Sequence, residues 1–83
     1  MDKSIYTREY AAVLRLLREA RRRAGVTQVA LAERIGETQS YVSKVERGEL
    51  RLDVVQLRTV CAALGIPLPE FVRRLERALA AEE

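Results

Sequence analysis

Apolar residues recur along this chain with the spacing of helices, in five runs separated by short polar segments. Side chains three, four and seven positions apart share one helix face. The runs predict helices over residues 8–24, 28–35, 39–47, 54–64 and 69–81. The apolar faces are Tyr10, Val13, Leu14, Leu17 and Ala20 in the first helix, Val54, Leu57, Val60, Cys61 and Leu64 in the fourth, and Phe71, Val72, Leu75 and Leu79 in the fifth. This pattern predicts an all-α, compact five-helix domain.

Turn and capping residues mark the boundaries between the runs. The glycines at 25, 36, 48 and 65 each follow an apolar run, where glycine commonly ends a helix. Thr27, Thr38 and Asp53 precede the next three runs and are expected N-caps, and Asp53 with Gln56 predicts a capping box. Pro69 suits the first turn of the last helix.

The composition supports one globular helical domain over residues 1–83. An apolar share of 48% is enough for a core, and two prolines and four glycines are too few for a many-turn β fold. Residues 1–7 are expected to form a short arm that packs through Ile5 and Tyr6. One cysteine excludes an intrachain disulfide, and zero histidines remove the usual general base and metal ligand. We therefore expect no enzyme, no cofactor and no metal site.

Export and membrane signals are not apparent in the sequence. The first residues lack a basic start followed by an apolar run, and no apolar stretch approaches the ~20 residues that span a bilayer. We therefore expect a bacterial or phage protein of the cytoplasm, associated with the nucleoid. The net charge is +3, with seven basic and three acidic residues among the first 25. That basic run fits a solvated helix face and a nucleic-acid surface equally well.

The second and third helices are too short to be stable alone, so they must pack on each other. Their inner faces are formed by Leu31, Ile35, Val42 and Val45. The small Ala32 permits a close crossing, and Gly36 supplies the turn between the helices. This is the geometry of a tight helix pair, so residues 27–48 predict a helix-turn-helix.

The segments TQVALAERIG (27–36) and SYVSKVERG (40–48) resemble the phage repressor/Cro-type (XRE) helix-turn-helix family of transcriptional regulators. The similarity runs from about Leu14 to Leu64. In size, the chain is also similar to small restriction–modification controllers and to phage or mobile-element regulators. The resemblance implies that the third helix is a recognition helix, which enters the major groove of double-stranded DNA.

The resemblance also assigns roles to single positions. The expected base-contacting residues are Gln39, Ser40, Ser43 and Lys44, whose spacing places them on one side of the helix. A glutamine can pair with adenine and a lysine with guanine. The expected phosphate-contacting residues are Gln28, Thr38, Tyr41, Arg47 and Arg51. Gln28 is also expected to brace the recognition helix, and Arg21 with Glu46 to form a structural salt bridge.

Plainer interpretations stay open at this point. The polar residues of the second and third helices also suit ordinary solvated surface, Tyr41 suits a core position, and Arg51 suits an unimportant loop charge. Cys61 is expected to be a buried small hydrophobe rather than a redox switch. The basic residues of the recognition segment are balanced by three acidic ones, Glu37, Glu46 and Glu49. A monomer is therefore expected to bind weakly, and affinity to come from dimerisation and phosphate contacts.

The end of the chain carries more apolar surface than short helices hide, which predicts a homodimer. The expected dimerisation residues are Ile66, Leu68, Phe71, Val72, Leu75 and Leu79. The alternative is that the last helix only completes the monomer core.

The expected function is a sequence-specific transcriptional regulator, a repressor or autoregulator, that reads a palindromic operator as a homodimer. The alternative function is an antitoxin-type protein that binds a toxin and represses its own promoter. The apolar last helix suits a toxin as well as a second copy of the chain.

Overall fold

The structure, a computed structural model, describes residues 7–82. Its five helices are α1 (Arg8–Arg23), α2 (Gln28–Ile35), α3 (Gln39–Glu46), α4 (Val54–Ala63) and α5 (Leu68–Ala81). No strand occurs in this range. Each predicted boundary is within one residue of the observed one, and the all-α fold class is confirmed. The predicted arm with Ile5 and Tyr6 falls outside the described residues, apart from Thr7, which caps α1.

Side-chain caps begin the first four helices. The caps are Thr7, Thr27, Thr38 and Asp53, and each accepts a hydrogen bond from the backbone N–H three residues further on. The capping box is confirmed, since the Gln56 side chain accepts from the Asp53 N–H at 2.8 Å. Gly36 adopts a φ of 73°, which a side chain would strain, and its N–H reaches back to α2 carbonyls. The chain can therefore turn directly from α2 into α3.

The core lies where all five helices meet. Its buried residues are Leu17, Ala20, Val26, Leu31, Ala32, Val42, Val60, Cys61, Leu64 and Phe71. The pairs that pack together are α1 with α3 and α5, α2 with α3 and α4, and α4 with α5. Ala32 is buried in α2, as its small size predicted for a close helix crossing. The short α2 and α3 therefore gain their stability from tertiary packing rather than from their own length.

Two apolar residues are placed differently from the prediction. Val54, expected on the buried face of α4, is 65% exposed. It lies in the first turn of α4, whereas the buried residues, Val60 and Cys61, lie in the second half. Phe71, expected at a dimer surface, is 1% exposed and belongs to the monomer core. A second copy of the chain cannot contact Phe71 while the monomer is folded.

Cys61 is completely buried, which confirms that it is a small core hydrophobe. Burial raises the pKa of its thiol to about 11, although the charge of Arg74 acts to lower it. The reactive thiolate is therefore scarce at neutral pH.

No single helix within residues 7–82 has the length and apolar composition needed to cross a membrane. Only α4 and α5 together meet those criteria, as a pair bent by 104°.

An ion pair inside the protein joins α1 to α3. Arg21 Nε and Nη2 donate to the two carboxylate oxygens of Glu46 at 2.6 and 3.1 Å. The side chains are only 10% and 9% exposed. Arg21 Nη1 donates to the Val26 carbonyl at 2.9 Å. One guanidinium therefore holds the segment before α2 and the end of α3 against α1, in the salt bridge that the sequence predicted.

The charge of Glu46 is maintained despite its environment. Burial by itself raises the pKa of this carboxyl. Hydrogen bonds from Arg21 and Gln28 and the charges of Arg21 and Arg18 outweigh burial, so the pKa lies below its ordinary value of 4.5. A carboxyl whose pKa is lowered by folding stabilises the fold above its unfolded pKa. That contribution is lost as the pH falls through the folded pKa.

Replacing Glu46 by alanine leaves the Arg21 charge buried without its partner. We expect the free energy of unfolding at pH 7 to fall by about 3 kcal/mol, as for other broken buried ion pairs. Urea denaturation between pH 7 and pH 3 measures this loss. The gap between wild type and variant should narrow as the pH falls from 4.5, the ordinary pKa of the unfolded carboxyl, through the lower pKa of folded Glu46. Glu76→Ala, at an exposed position of α5, is the control and should change little. A gap that stays constant with pH would contradict this role of the ion pair.

Candidate nucleic-acid interface

The recognition helix α3 has one buried and one polar side. Val42 and Val45 are 3% and 5% exposed and face the core. The predicted base-contacting residues Gln39, Ser40 and Lys44 are exposed, and Ser43 is half-buried. At 3.6 residues per turn these four residues span less than half of the helix circumference, opposite the valines. The structure therefore brings all four to one side of α3.

Gln39 is tied to α2 by its side chain. Its Nε2 donates to Gln28 Oε1 at 2.7 Å, and Gln28 Nε2 donates to Glu46 Oε1 at 2.9 Å. The half-buried Gln28 thus joins the first residue of α2 to both ends of α3, which is the bracing role expected for it. Gln28 also stands at a helix N-terminus, where unpaired N–H groups favour an anion such as phosphate.

Ser43 and Arg47 form a local network on the exposed side. Arg47 donates to Ser43 Oγ and to the Glu49 carboxylate, the latter at 2.8 Å. The hydrogen bond from Arg47 lowers the pKa of Glu49. Exposed ion pairs of this kind contribute little to stability, so a phosphate can replace Glu49 at modest cost. The structure leaves Arg47 at the rim of the α3 surface, with its charge balanced by Glu49.

Tyr41 is half-buried rather than fully presented to solvent. It packs against the core beside Ile35 and Val60. Burial raises the pKa of its phenol, and the carboxylates of Glu37 and Asp53 raise it further. The structure therefore shows Tyr41 packed at the edge of the core, and its phosphate contact stays a prediction.

The other predicted phosphate residues flank α3. Thr38 is exposed, and its Oγ1 accepts the Tyr41 N–H at 3.1 Å, so its own hydroxyl hydrogen points elsewhere. Arg51 is exposed in the segment between α3 and α4, and its Cζ lies 4.4 Å from the centroid of the Tyr10 ring. This cation–π contact orients the Arg51 guanidinium at the surface. Arg51 is therefore held in place rather than being a loose loop charge.

Two residues support the interface without having been singled out for it. Tyr10, predicted only as an apolar position, accepts the Leu52 N–H at 3.1 Å and so anchors the segment that carries Arg51. Arg18 Nη1 donates to the Glu46 carbonyl at 3.3 Å, at the end of α3. The hydroxyl of Tyr10 and the spacing of Arg18 from Arg21 were the available sequence signals. Neither signal identifies a partner more than 20 residues away.

The expected dimerisation residues, apart from Phe71, stay at or near the surface. Ile66, Leu68, Leu75 and Leu79 are half-buried, and Val72 is 41% exposed. The end of α5 is fastened to α1, because Glu82 accepts from Arg15 Nη2 at 2.7 Å and pairs with Arg8 at 3.4 Å. An apolar stripe (Leu68, Val72, Leu75 and Leu79) thus runs along a helix whose end is fastened to α1.

Comparison with solved structures finds proteins of similar fold. An "XRE-family like protein" from Pseudomonas syringae pv. tomato is 44% identical over 84% of this chain and 85% of its own, with a TM-score of 0.80. The clp gene regulator ClgR from Corynebacterium glutamicum is similar in two structures. One is 29% identical over 92% of this chain and 81% of its own, with a TM-score of 0.79. The other is 30% identical over 89% and 95%, with a TM-score of 0.75.

Comparison with family models covers most of the helical domain. Residues 17–71 match the model described as "Helix-turn-helix". A comparison with curated proteins finds no match. The matched residues extend from the middle of α1 to the first turn of α5 and include the whole α2–α3 pair. The chain therefore belongs to the XRE-type helix-turn-helix family of DNA-binding transcriptional regulators.

Proposed function

We propose that this protein is a repressor or autoregulator that reads a palindromic operator as a homodimer. The observation that carries the proposal is the polar side of α3, where Gln39, Ser40, Ser43 and Lys44 lie together opposite two buried valines. A helix held in this way presents its first turns to the major groove. Occupancy of the operator then follows the protein concentration through the dimer equilibrium.

Base readout rests on two side chains of different chemistry. Gln39 is exposed at the start of α3, and its carboxamide can pair with the N6 and N7 atoms of adenine. Lys44 is exposed about one and a half turns further on and reaches acceptors such as guanine O6 and N7. Ser40 and Ser43 lie between them and suit either donors or acceptors.

Phosphate contacts frame the recognition helix on both sides. Gln28 and Thr38 stand at the beginnings of α2 and α3, where helix dipoles favour an anion. Arg51 and Arg47 lie beyond the end of α3 and supply positive charge. Because such contacts do not depend on sequence, they set the register of the protein on the duplex and much of its affinity.

The surface of α5 supports the proposed homodimer. Leu68, Val72, Leu75 and Leu79 repeat with the alternating spacing of four and three that favours helix–helix pairing. A two-fold axis beside this stripe would set two α3 helices one DNA turn apart, about 34 Å. Doubling the interface also offsets the weak affinity expected of a recognition segment with balanced charge.

The base-reading proposal is tested by mutating the two principal readers. After the preferred site is selected from random duplexes at 150 mM salt, Gln39→Ala and Lys44→Ala should each weaken binding to that site about tenfold. Binding to an unrelated duplex should fall much less. Arg58→Ala removes an exposed charge on α4 and serves as the charge-matched control. Equal losses on both duplexes would contradict base readout by α3.

Arg51 should contribute affinity without sequence preference. We expect Arg51→Ala to weaken all duplexes alike and to reduce the slope of log K against log salt by about 1, because one phosphate contact is lost. Titrations of the selected and unrelated duplexes at several salt concentrations measure both effects. An unchanged slope would remove Arg51 from the phosphate contacts.

The dimer is tested by placing a charge in the apolar stripe. Sedimentation at micromolar concentration should show a dimer for the wild type and predominantly a monomer for Val72→Glu, since an unpaired buried charge is costly. Val55→Glu is the control, because Val55 is 68% exposed on α4 and outside the stripe. A wild type that sediments as a monomer without DNA overturns the homodimer and leaves the stripe to another protein partner, such as a toxin.

A further inference from the structure

A hydrogen-bond chain with a defined direction runs from α1 to the exposed start of α3. Arg21 Nε donates to Glu46 at 2.6 Å, and Gln28 Nε2 donates to the same carboxylate at 2.9 Å. Gln39 Nε2 then donates to Gln28 Oε1 at 2.7 Å. An arginine can only donate and an ionised carboxylate can only accept. The direction of the chain is therefore decided at its buried end.

The carboxylate of Glu46 dictates how each amide further along is oriented. The carboxylate has no hydrogen to donate. Gln28 must therefore turn its NH2 group towards Glu46 and its oxygen towards Gln39. Gln39 must in turn present its NH2 group to Gln28. Rotating either amide by half a turn would bring two oxygens or two NH2 groups face to face. The chemistry of one buried group thus determines two amide orientations.

We propose that Glu46 is a positioning residue for base recognition, which fixes through Gln28 the atoms that Gln39 turns towards DNA. The proposal rests on the base-reading role of Gln39. With one Nε2 hydrogen engaged by Gln28, Gln39 keeps Oε1 and its second hydrogen for a base edge. One acceptor and one donor match adenine N6 and N7. A reversed amide turns both hydrogens outwards, which suits the two acceptors of guanine.

The hydrogen-bond chain can orient Gln39 because its two ends differ in burial. The Arg21 and Glu46 side chains are 10% and 9% exposed, so water has little access to replace either partner. Gln39 is exposed, and the last torsion of a glutamine side chain is broad when nothing restrains it. A single amide orientation held before binding lowers the entropy lost on binding and sharpens the choice of base.

The experiment measures discrimination rather than affinity. The reference base pair is the adenine position of the selected site at which Gln39→Ala loses its preference. For each variant, the ratio of dissociation constants is measured with guanine and with adenine at that position. The variants are Glu46→Gln, which keeps the size but can donate or accept, and Gln28→Met, which keeps the ion pair and interrupts the chain. Each variant is made in the wild type and in the Gln39→Ala background.

We expect both substitutions to lower the guanine-to-adenine ratio about tenfold in the wild-type background. Neither should lower it further in the Gln39→Ala background, where no amide is left to orient. Arg58→Gln is the control, because Arg58 is exposed on α4 and lies outside the chain. Its ratio should equal that of the wild type. If Glu46→Gln fails to fold, Gln28→Met decides the outcome alone.

Two results overturn the inference while leaving the proposed function intact. The ratio could stay unchanged in Glu46→Gln and Gln28→Met although Gln39→Ala removes the preference for adenine. This result would show that Gln39 needs no positioning. The ratio could fall equally in both backgrounds, which would show a general distortion of α3. A wild type that prefers no duplex would refute the proposed function itself, and this is seen before any variant is made.

Discussion

The ion pair between Arg21 and Glu46 is the constraint on which the rest of the structure depends. Helix α3 has eight residues and cannot persist alone, so its position is set by what holds its buried side. The burial of Val42 and Val45 stabilises α3, but the hydrophobic effect is not directional. The two hydrogen bonds from Arg21 to Glu46 fix the rotation of α3 relative to α1. Desolvation of the carboxylate is compensated because Arg21 and Gln28 both donate to it. The polar side of the recognition helix is aimed by this contact.

The exposed surface of α3 is organised by small networks rather than by free side chains. Gln39 is bound to Gln28, and Ser43 is bound to Arg47, which also pairs with Glu49. Such contacts limit the conformations available before DNA arrives, so less entropy is lost on binding. They also keep the α3 surface close to neutral. The groups that would give specificity are therefore separate from the groups that would give affinity. In the function proposed above, α3 supplies specificity, and phosphate contacts and a second copy of the chain supply affinity.

Helix α5 serves the core and the outer surface with different residues. Phe71 is 1% exposed and completes the core, while Val72, the next residue, is 41% exposed. Successive residues on a helix point about 100° apart, so one apolar segment can supply both faces. Glu82 fastens the end of the helix to Arg15, which holds the outer stripe in a fixed position on the domain. The proposed symmetric interface would require such a stripe, because both copies must present the same shape.

The sequence by itself determined the five helices, the capping box at Asp53 and the polar side of α3, because each depends on residues within one or two helical turns. It also indicated the family, through many spaced positions in one segment. Tertiary structure alone decided that Val54 is exposed, that Phe71 belongs to the core, and that Tyr41 packs against the edge of the core. The stacking of Arg51 on Tyr10 and the chain from Glu46 to Gln39 were likewise decided only by the fold. Periodicity states which residues share a helix face, but the partner that covers each part of that face comes from elsewhere in the chain.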